Sequence, residues 1–287
     1  MSEYFSDPSL LKPPVARAAY SDRTAWIMAQ CSELAYKDFT GSELSKFLKM
    51  GGLRLIKTFS KTDIHRQVDT QAFLAQTRDY SILSFRGTQI KQWIDIETDL
   101  NIPFYKNKGG EVHRGFFEAF QVIAPDLIQA LKKLKTPLYV TGHSLGGALA
   151  TVAVMNLPNP DQIAACYTYG APRVGNAEFV EAFYKVPVYR LVHASDIVPH
   201  LPFFAMGYCH PSSMRFLTAK GELITDETAW LRCFLQGLRT FLTFSWGRFI
   251  GDHSMKFYVE FLFKVAKSRN AHRKKRKPYV PILNRKD

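Results

Sequence analysis

Gly142-His143-Ser144-Leu145-Gly146 is preceded by Pro137-Leu138-Tyr139-Val140-Thr141 and followed by Gly147-Ala148-Leu149-Ala150. The upstream run is short and apolar, as in a buried strand, and the downstream run reads as a helix of small residues. Between them the chain must turn sharply, which thrusts the serine outward. Glycines at 142 and 146 keep side chains out of that turn, while Gly147 and Ala148 let the helix lie close to the sheet. A Gly-x-Ser-x-Gly string alone is common, and its strand-turn-helix setting is what gives it chemical meaning. The helix N-terminus behind Ser144 favours negative charge developing there. Ser144 is therefore a candidate nucleophile, against the plainer reading of a tight turn with an incidental serine.

Working outward, segments 53–59, 70–77 and 80–85 read as successive strands, the last ending at Phe85-Arg86-Gly87-Thr88. Helices are expected over 21–36, capped by Ser21 or Asp22, and over 115–134. After the serine turn come helix 146–156, strand 163–168, helix 176–184 and strand 187–193. A hairpin over 214–219 and 222–225 turns at Lys220-Gly221. Helices over 227–244 and 254–267 complete the pattern. This alternation predicts an α/β fold with a mostly parallel central sheet and helices on both faces. The division expected is a loose N-terminal arm at 1–19, one domain at 20–267 and a basic tail at 268–287.

A serine nucleophile on such a sheet needs an acid and then a histidine later in the chain. Asp196 directly follows strand 187–193, at the sheet edge where catalytic loops collect. Asp161 precedes a strand, Asp226 and Glu227 read as a helix start, and Asp252 adjoins the candidate histidine, where orientation is difficult. Among the later histidines, His193 lies within a strand and His272 in the basic tail, while His253 sits in a loop before the last helix. With His200 and His210 also weighed, the reading is Ser144 as nucleophile, His253 as base then acid, and Asp196 as orienter of the imidazole.

Six strings now stand in order: Phe85-Arg86-Gly87-Thr88, Val112-His113-Arg114-Gly115-Phe116, the serine turn, Tyr169-Gly170-Ala171-Pro172-Arg173-Val174-Gly175-Asn176, residues 192–202, and Asp252-His253. Together they resemble the class 3, or fungal-type, lipase family over roughly residues 70–265. The resemblance implies an α/β-hydrolase fold and cleavage of carboxylic esters of lipid-like substrates. It carries the triad independently onto Ser144, Asp196 and His253, and the oxyanion hole onto Thr88 and the backbone N–H of Leu145. It implies structural roles for Arg86, His113 and Arg173, and packing around the turn for His143.

Family members carry a lid after the oxyanion residue. Here 89–100 holds Trp93, Ile94 and Asp99-Leu100 with wider spacing, and Trp93 reads either as a lid contact or as a core aromatic. A second departure precedes His253. Trp230, Leu231, Phe234, Leu235, Leu238, Phe241 and Leu242 follow helical spacing, opposite Arg232, Gln236, Arg239 and Thr243. Such a helix either packs on the core or meets a membrane. Phe244, Trp246, Phe249 and Ile250 continue the apolar character, and an aromatic wall beside His253 suits an acyl chain. Trp93, Ile94, Val198, Trp246 and Phe249 are the substrate-contact candidates.

Composition sets the remaining bounds. The 287 residues are 46% apolar and carry a formal charge of +13. Residues 261–287 hold ten of the 38 basic residues and one of the 25 acidic ones, so the basicity is largely a tail property. The run at 269–277 suits an anionic membrane surface. Nucleic acid ranks below it, because no aromatic interleaving or nucleic-acid motif accompanies the charge. Cys31, Cys166, Cys209 and Cys233 form no metal-type pair, and no metal or cofactor is expected. Pro13, Pro14, Asp7 and Asp22 interrupt the first thirty residues, so a cytoplasmic protein, at most peripheral to a membrane, is expected. The function expected is a lipid ester hydrolase of the acylglycerol lipase or phospholipase A1 kind. The alternatives are a catalytically silent lipid-binding protein and an acyltransferase. Head-group preference and oligomeric state leave no mark in these strings.

Overall fold

The structure, a computed structural model, describes residues 4–12, 19–64, 68–88, 103–226, 228–243, 245 and 247–275, with side chains to residue 271. Ten strands are described: β1 (Arg54–Asp63), β2 (Val68–Gln76), β3 (Ser81–Phe85), β4 (Phe104–Asn107), β5 (Gly110–His113), β6 (Leu138–His143), β7 (Ile163–Tyr169), β8 (Val188–His193), β9 (Met214–Leu217) and β10 (Leu223–Ile224). The helices are α1 (Asp22–Leu34), α2 (Glu43–Met50), α3 (Arg114–Leu131), α4 (Leu145–Asn156), α5 (Ala177–Glu181), α6 (Ala229–Leu242), α7 (Gly247–Gly251) and α8 (Met255–Lys275).

Eight strands form one sheet in the order β1-β2-β3-β6-β7-β8-β9-β10. The strands from β3 to β9 run parallel, and antiparallel pairs close both edges. The registers Ser84↔Thr141↔Tyr167 and Phe85↔Gly142↔Thr168 bring the C-terminal ends of β3, β6 and β7 level with one another. This common edge is where residues 86–88, 144 and 170 emerge. β6 and β3 are buried throughout, which is why they read as continuous apolar runs instead of alternating ones.

Two core layers flank the sheet. One face carries α3 and α4, with Phe116, Phe120, Ile123 and Leu127 of α3 at helical spacing against Leu74, Leu83 and Val140. The other carries α1 and α8, where Trp26 and Ile27 pack with Tyr258 and Leu262. His113 caps α3 by accepting the Phe116 N–H at its Nδ1, 3.3 Å away. Ser21 caps α1 through its side chain, one of the two caps expected.

Three local features depart from the sequence reading. The arm expected to be loose buries Phe5 and Leu10 against the α1 layer, because two large apolar side chains outweigh the ordering of a short segment. A β4–β5 hairpin, turned at Gly109-Gly110 with φ of 79° and 148°, precedes α3. Finally, α8 runs to Lys275, through residues expected to be tail, and Arg269 bonds Asp22 at 3.1 Å.

The structure decides between the two readings of the amphipathic helix, α6. Its buried positions are the small ones: Ala229 and Cys233, which cluster with Val192 and Phe216, and Thr240, which bonds Ser195. Seven large apolar side chains, Trp230, Leu231, Phe234, Leu235, Leu238, Phe241 and Leu242, are exposed by 41 to 64%. An ordinary surface helix turns its apolar stripe inward. Leaving such side chains in water forgoes roughly 1.5–3 kcal/mol for each one that could be fully buried. The apolar face of α6 does not belong to this core.

Candidate active site

Ser144 joins β6 to α4 with φ of 57° and ψ of −131°, a conformation that L side chains rarely adopt. Space dictates the neighbouring residues. A Cβ on Gly142 would collide with the backbone of Gly146, and one on Gly146 would collide with the Phe85 carbonyl. One on Gly147 would come 2.6 Å from Ala171 Cβ. The strained turn is thus held by close backbone packing, and Ser144 stands at the N-terminus of a buried helix.

Asp196 lies just past β8, behind Ala194, another non-glycine residue at positive φ, 43°. Both Asp196 carboxylate oxygens lie 2.9 Å from His253 Nδ1. Oδ1 also accepts the Val198 N–H at 3.0 Å, and Oδ2 accepts the Tyr258 hydroxyl at 2.7 Å. Tyr258 in turn accepts the His193 N–H at 3.0 Å. Burial pushes the Asp196 carboxyl upward, but the His253 charge and the bonds from His253 and Tyr258 outweigh it, holding it below its ordinary value. An ionised Asp196 fixes the proton on His253 Nδ1 and leaves Nε2 as the free lone pair. Ser144 Oγ and His253 Nε2 are both buried, and neither has a hydrogen-bond partner among the described residues.

A second histidine supports the first. His143 and His253 stack at 4.4 Å between ring centroids. His143 Nε2–H donates to the His253 carbonyl at 2.7 Å, and the Tyr36 hydroxyl donates to His143 Nδ1 at 2.8 Å. Burial, reinforced by the charge of His253, pushes His143 down to about 3, so it is neutral at working pH. Tyr36 and Tyr258 escaped the sequence reading. Their one signal is chemical: a tyrosine drawn into the fold, in the turn after α1 for Tyr36 and on α8 for Tyr258, must find a partner for its hydroxyl.

Thr88 follows β3 and is half-buried. The preceding Gly87 is pinned so tightly that a Cβ would meet the Tyr36 hydroxyl and lie 3.3 Å from Ser144 Cβ. Thr88 and the first amide of α4, that of Leu145, therefore belong to the same rim as Ser144. The first N–H groups of a helix have no intrahelical acceptor.

The competing candidates are occupied elsewhere. Asp252 Oδ2 accepts the Ser195 N–H at 3.0 Å, and His193 Nδ1–H donates to the Asp252 carbonyl at 2.9 Å. His210 Nε2–H donates to Pro199 at 2.7 Å. Arg86 bonds Gln71 at 2.7 Å and Arg173 bonds Pro202 at 2.8 Å, as structural partners. Val198 is fully buried in the core, so its contact with the site is the amide on Asp196 and not a side chain in a pocket. Trp93, Ile94 and Trp246 lie outside the described residues.

Phe249 lines an apolar groove of about 280 Å³ that borders the Asp196 loop, together with Ala194, Ile197, Phe203, Phe234 and Phe241. A larger depression of about 430 Å³ between β1 and α3 is lined by Arg54, Gln76 and Lys133. Gln76 pairs with Ser81 at the start of β3, so that depression lies at the sheet edge opposite Ser144.

Comparison with known proteins agrees with the geometry. The profile of the class 3 lipases matches residues 82–206. A secreted mono- and diacylglycerol lipase of Fusarium solani is 37% identical over 183 residues, covering 59% of this chain and 52% of that protein. The solved lipase of Rhizopus microsporus var. chinensis aligns with a TM-score of 0.56 and 30% identity, over 76% of this chain and 83% of that one. A solved triacylglycerol lipase described as having a serine protease triad as its catalytic centre aligns at 0.60 and 27%, over 74% and 90%. The chain spans about half the length of the curated relatives it matches. The expectation of a cytoplasmic protein is overturned, because the matched relatives include lipases named as secreted. That expectation rested on missing features, and an absence does not specify a compartment.

Proposed function

Because the chain belongs to the class 3 lipase family and has its α/β-hydrolase fold, we propose that it is a serine carboxylic-ester hydrolase acting on acylglycerols. One observation carries the proposal: a strained Ser144 next to His143, whose ring stacks on a buried His253 that holds its Nδ1 2.9 Å from Asp196. In this reading Ser144 Oγ attacks the ester carbonyl while His253 Nε2 takes its proton. The oxyanion is stabilised by the Leu145 N–H and by Thr88, at the positive end of α4. Collapse of the intermediate expels the alcohol, which receives the proton from His253, and leaves an acyl-enzyme on Ser144. Water, deprotonated by the same imidazole, then releases the fatty acid.

The groove beside Phe249 is the proposed seat of the acyl chain, since its lining is almost wholly apolar. Preference for mono- and diacylglycerols is proposed from the relatives so named. Catalysis is proposed to reside in one domain, residues 20–267. The basic run at 269–277 is proposed to add attraction to anionic membranes, at about 1 kcal/mol for each charge near the surface.

The test is a fluorophosphonate probe together with an acylglycerol panel read by product mass. Labelling of the parent, none in Ser144→Ala, and release of fatty acid by the parent alone are the expected results. An unlabelled parent would leave a silent lipid-binding protein as the better reading.

A further inference from the structure

We infer that the outward face of α6 is a docking surface for an anionic lipid layer, seating the catalytic edge on the layer that holds its substrate. The inference rests on the acylglycerol reading and adds where and how the protein meets lipid. Trp230, Leu235, Leu238 and Leu242 project from the helix, exposed by 42 to 64%. Phe203, 57% exposed, extends the patch across the groove that it lines with Leu238. Contiguous apolar surface of this kind marks an interaction site on a soluble protein.

Charge selects the partner. Arg232, Arg239 and Arg248 are the only charged residues between 229 and 251, and all three are exposed. A helix with tryptophan, phenylalanine and leucine on one side and arginine as its sole charge suits the boundary between anionic headgroups and acyl chains. A protein partner of mixed charge would favour both signs around the patch.

The surface is fastened to the catalytic machinery on both sides of Asp196. Thr240 of α6 shares a buried 2.7 Å hydrogen bond with Ser195. Ile197 N–H donates to the Phe249 carbonyl, just beyond α6, at 3.4 Å. A lipid layer seated on α6 therefore meets the rim of the acyl groove directly, without the helix having to move.

The experiment uses the full chain carrying Ser144→Ala, so that binding is read without hydrolysis. Vesicles of phosphatidylcholine with roughly a quarter phosphatidylglycerol are compared with phosphatidylcholine alone. Adding Leu235→Gln and Leu242→Gln, neither of which lines the groove, should weaken binding to the anionic vesicles more than about tenfold. Arg232→Gln with Arg239→Gln should erase the preference for anionic over neutral vesicles. As a second readout, brominated lipid should quench Trp230, measured as the difference from Trp230→Phe. Unchanged binding by the leucine pair would overturn the surface, as would a parent that ignores vesicles but dimerises through those leucines. In the Ser144 background the leucine pair should hydrolyse a water-soluble ester as the parent does. A parent inactive on every ester, yet binding vesicles through the leucines, would sink the hydrolase reading and leave the surface standing.

Discussion

The Nε2 of His143 lies 2.7 Å from the backbone oxygen of His253, so the residue preceding the proposed nucleophile holds the main chain of the proposed base. Because His143 is neutral and anchored by Tyr36, it can act only as a positioning residue. His143→Leu should lower kcat about a hundredfold with KM little changed, since small displacements of a catalytic group cost that much. His143→Gln, which keeps an amide donor, should recover most of the loss. Equal damage from both variants would mean that ring packing, and not the hydrogen bond, is what matters.

Asp196 and Asp252 are separated by their partners. Asp196→Asn removes the charge that fixes His253 in its tautomer, and a loss of roughly ten-thousandfold in turnover is expected. Asp252 serves the Ser195 amide, which an asparagine oxygen can still do, so Asp252→Asn should turn over near the parent rate. Steady-state kinetics on one soluble ester decides the matter, and the reverse ranking would remove Asp196 from the triad.

Gly170 has φ of 54°, and a Cβ there would lie 2.5 Å from Asp196 Oδ2 and 3.0 Å from His253 Nδ1. Gly170→Ala should therefore damage the site before it damages the fold. The expected result is a loss of more than about a hundredfold in kcat with the near-ultraviolet circular dichroism retained. Normal turnover in this variant would mean that the acid–base pair tolerates displacement.

Acid should destabilise the protein well above the carboxylate range. Burial lowers His143 from 6.5 to about 3 and also lowers His193. Between the unfolded and folded values the unfolded chain binds the proton and the native one does not. Stability is therefore lost as pH falls below about 6.5, by roughly 1.4 kcal/mol per pH unit for His143, with His193 acting in the same direction. Asp196, lowered from 3.8, acts in the same direction at still lower pH. Denaturant midpoints from about pH 7 to about pH 5 should fall, and fall less steeply in His143→Gln. A flat profile in the parent would show that these rings are protonated in the native state.

The serine turn was legible because everything it needs is local: an apolar strand, two glycines that no larger residue could replace, and small helix residues. His253 and Asp196 were legible from chain order and from their places beside a strand end and a helix start. Tyr36 and Tyr258 were not, since their hydroxyls reach His143 and Asp196 through tertiary packing that no spacing records. Periodicity along 230–242 marked two faces of a helix but could not say which one meets the core. Small residues at 229, 233 and 240 settled that, because they let α6 approach β9 closely while the bulky positions point away.

The connection from Tyr258 to Asp196 also sets an order in time. During synthesis the strand, elbow and helix around Ser144 leave the ribosome first, and early segments begin to fold as they appear. Asp196 follows, but its imidazole partner and the tyrosine that steadies its carboxylate arrive only with the loop before α8 and with α8 itself. Until that helix docks, Ser144 lacks its proposed base. A nascent or proteolytically shortened chain that stops before His253 would hold the proposed nucleophile without its proposed proton acceptor, so the proposed esterase activity would wait until the fold is nearly closed.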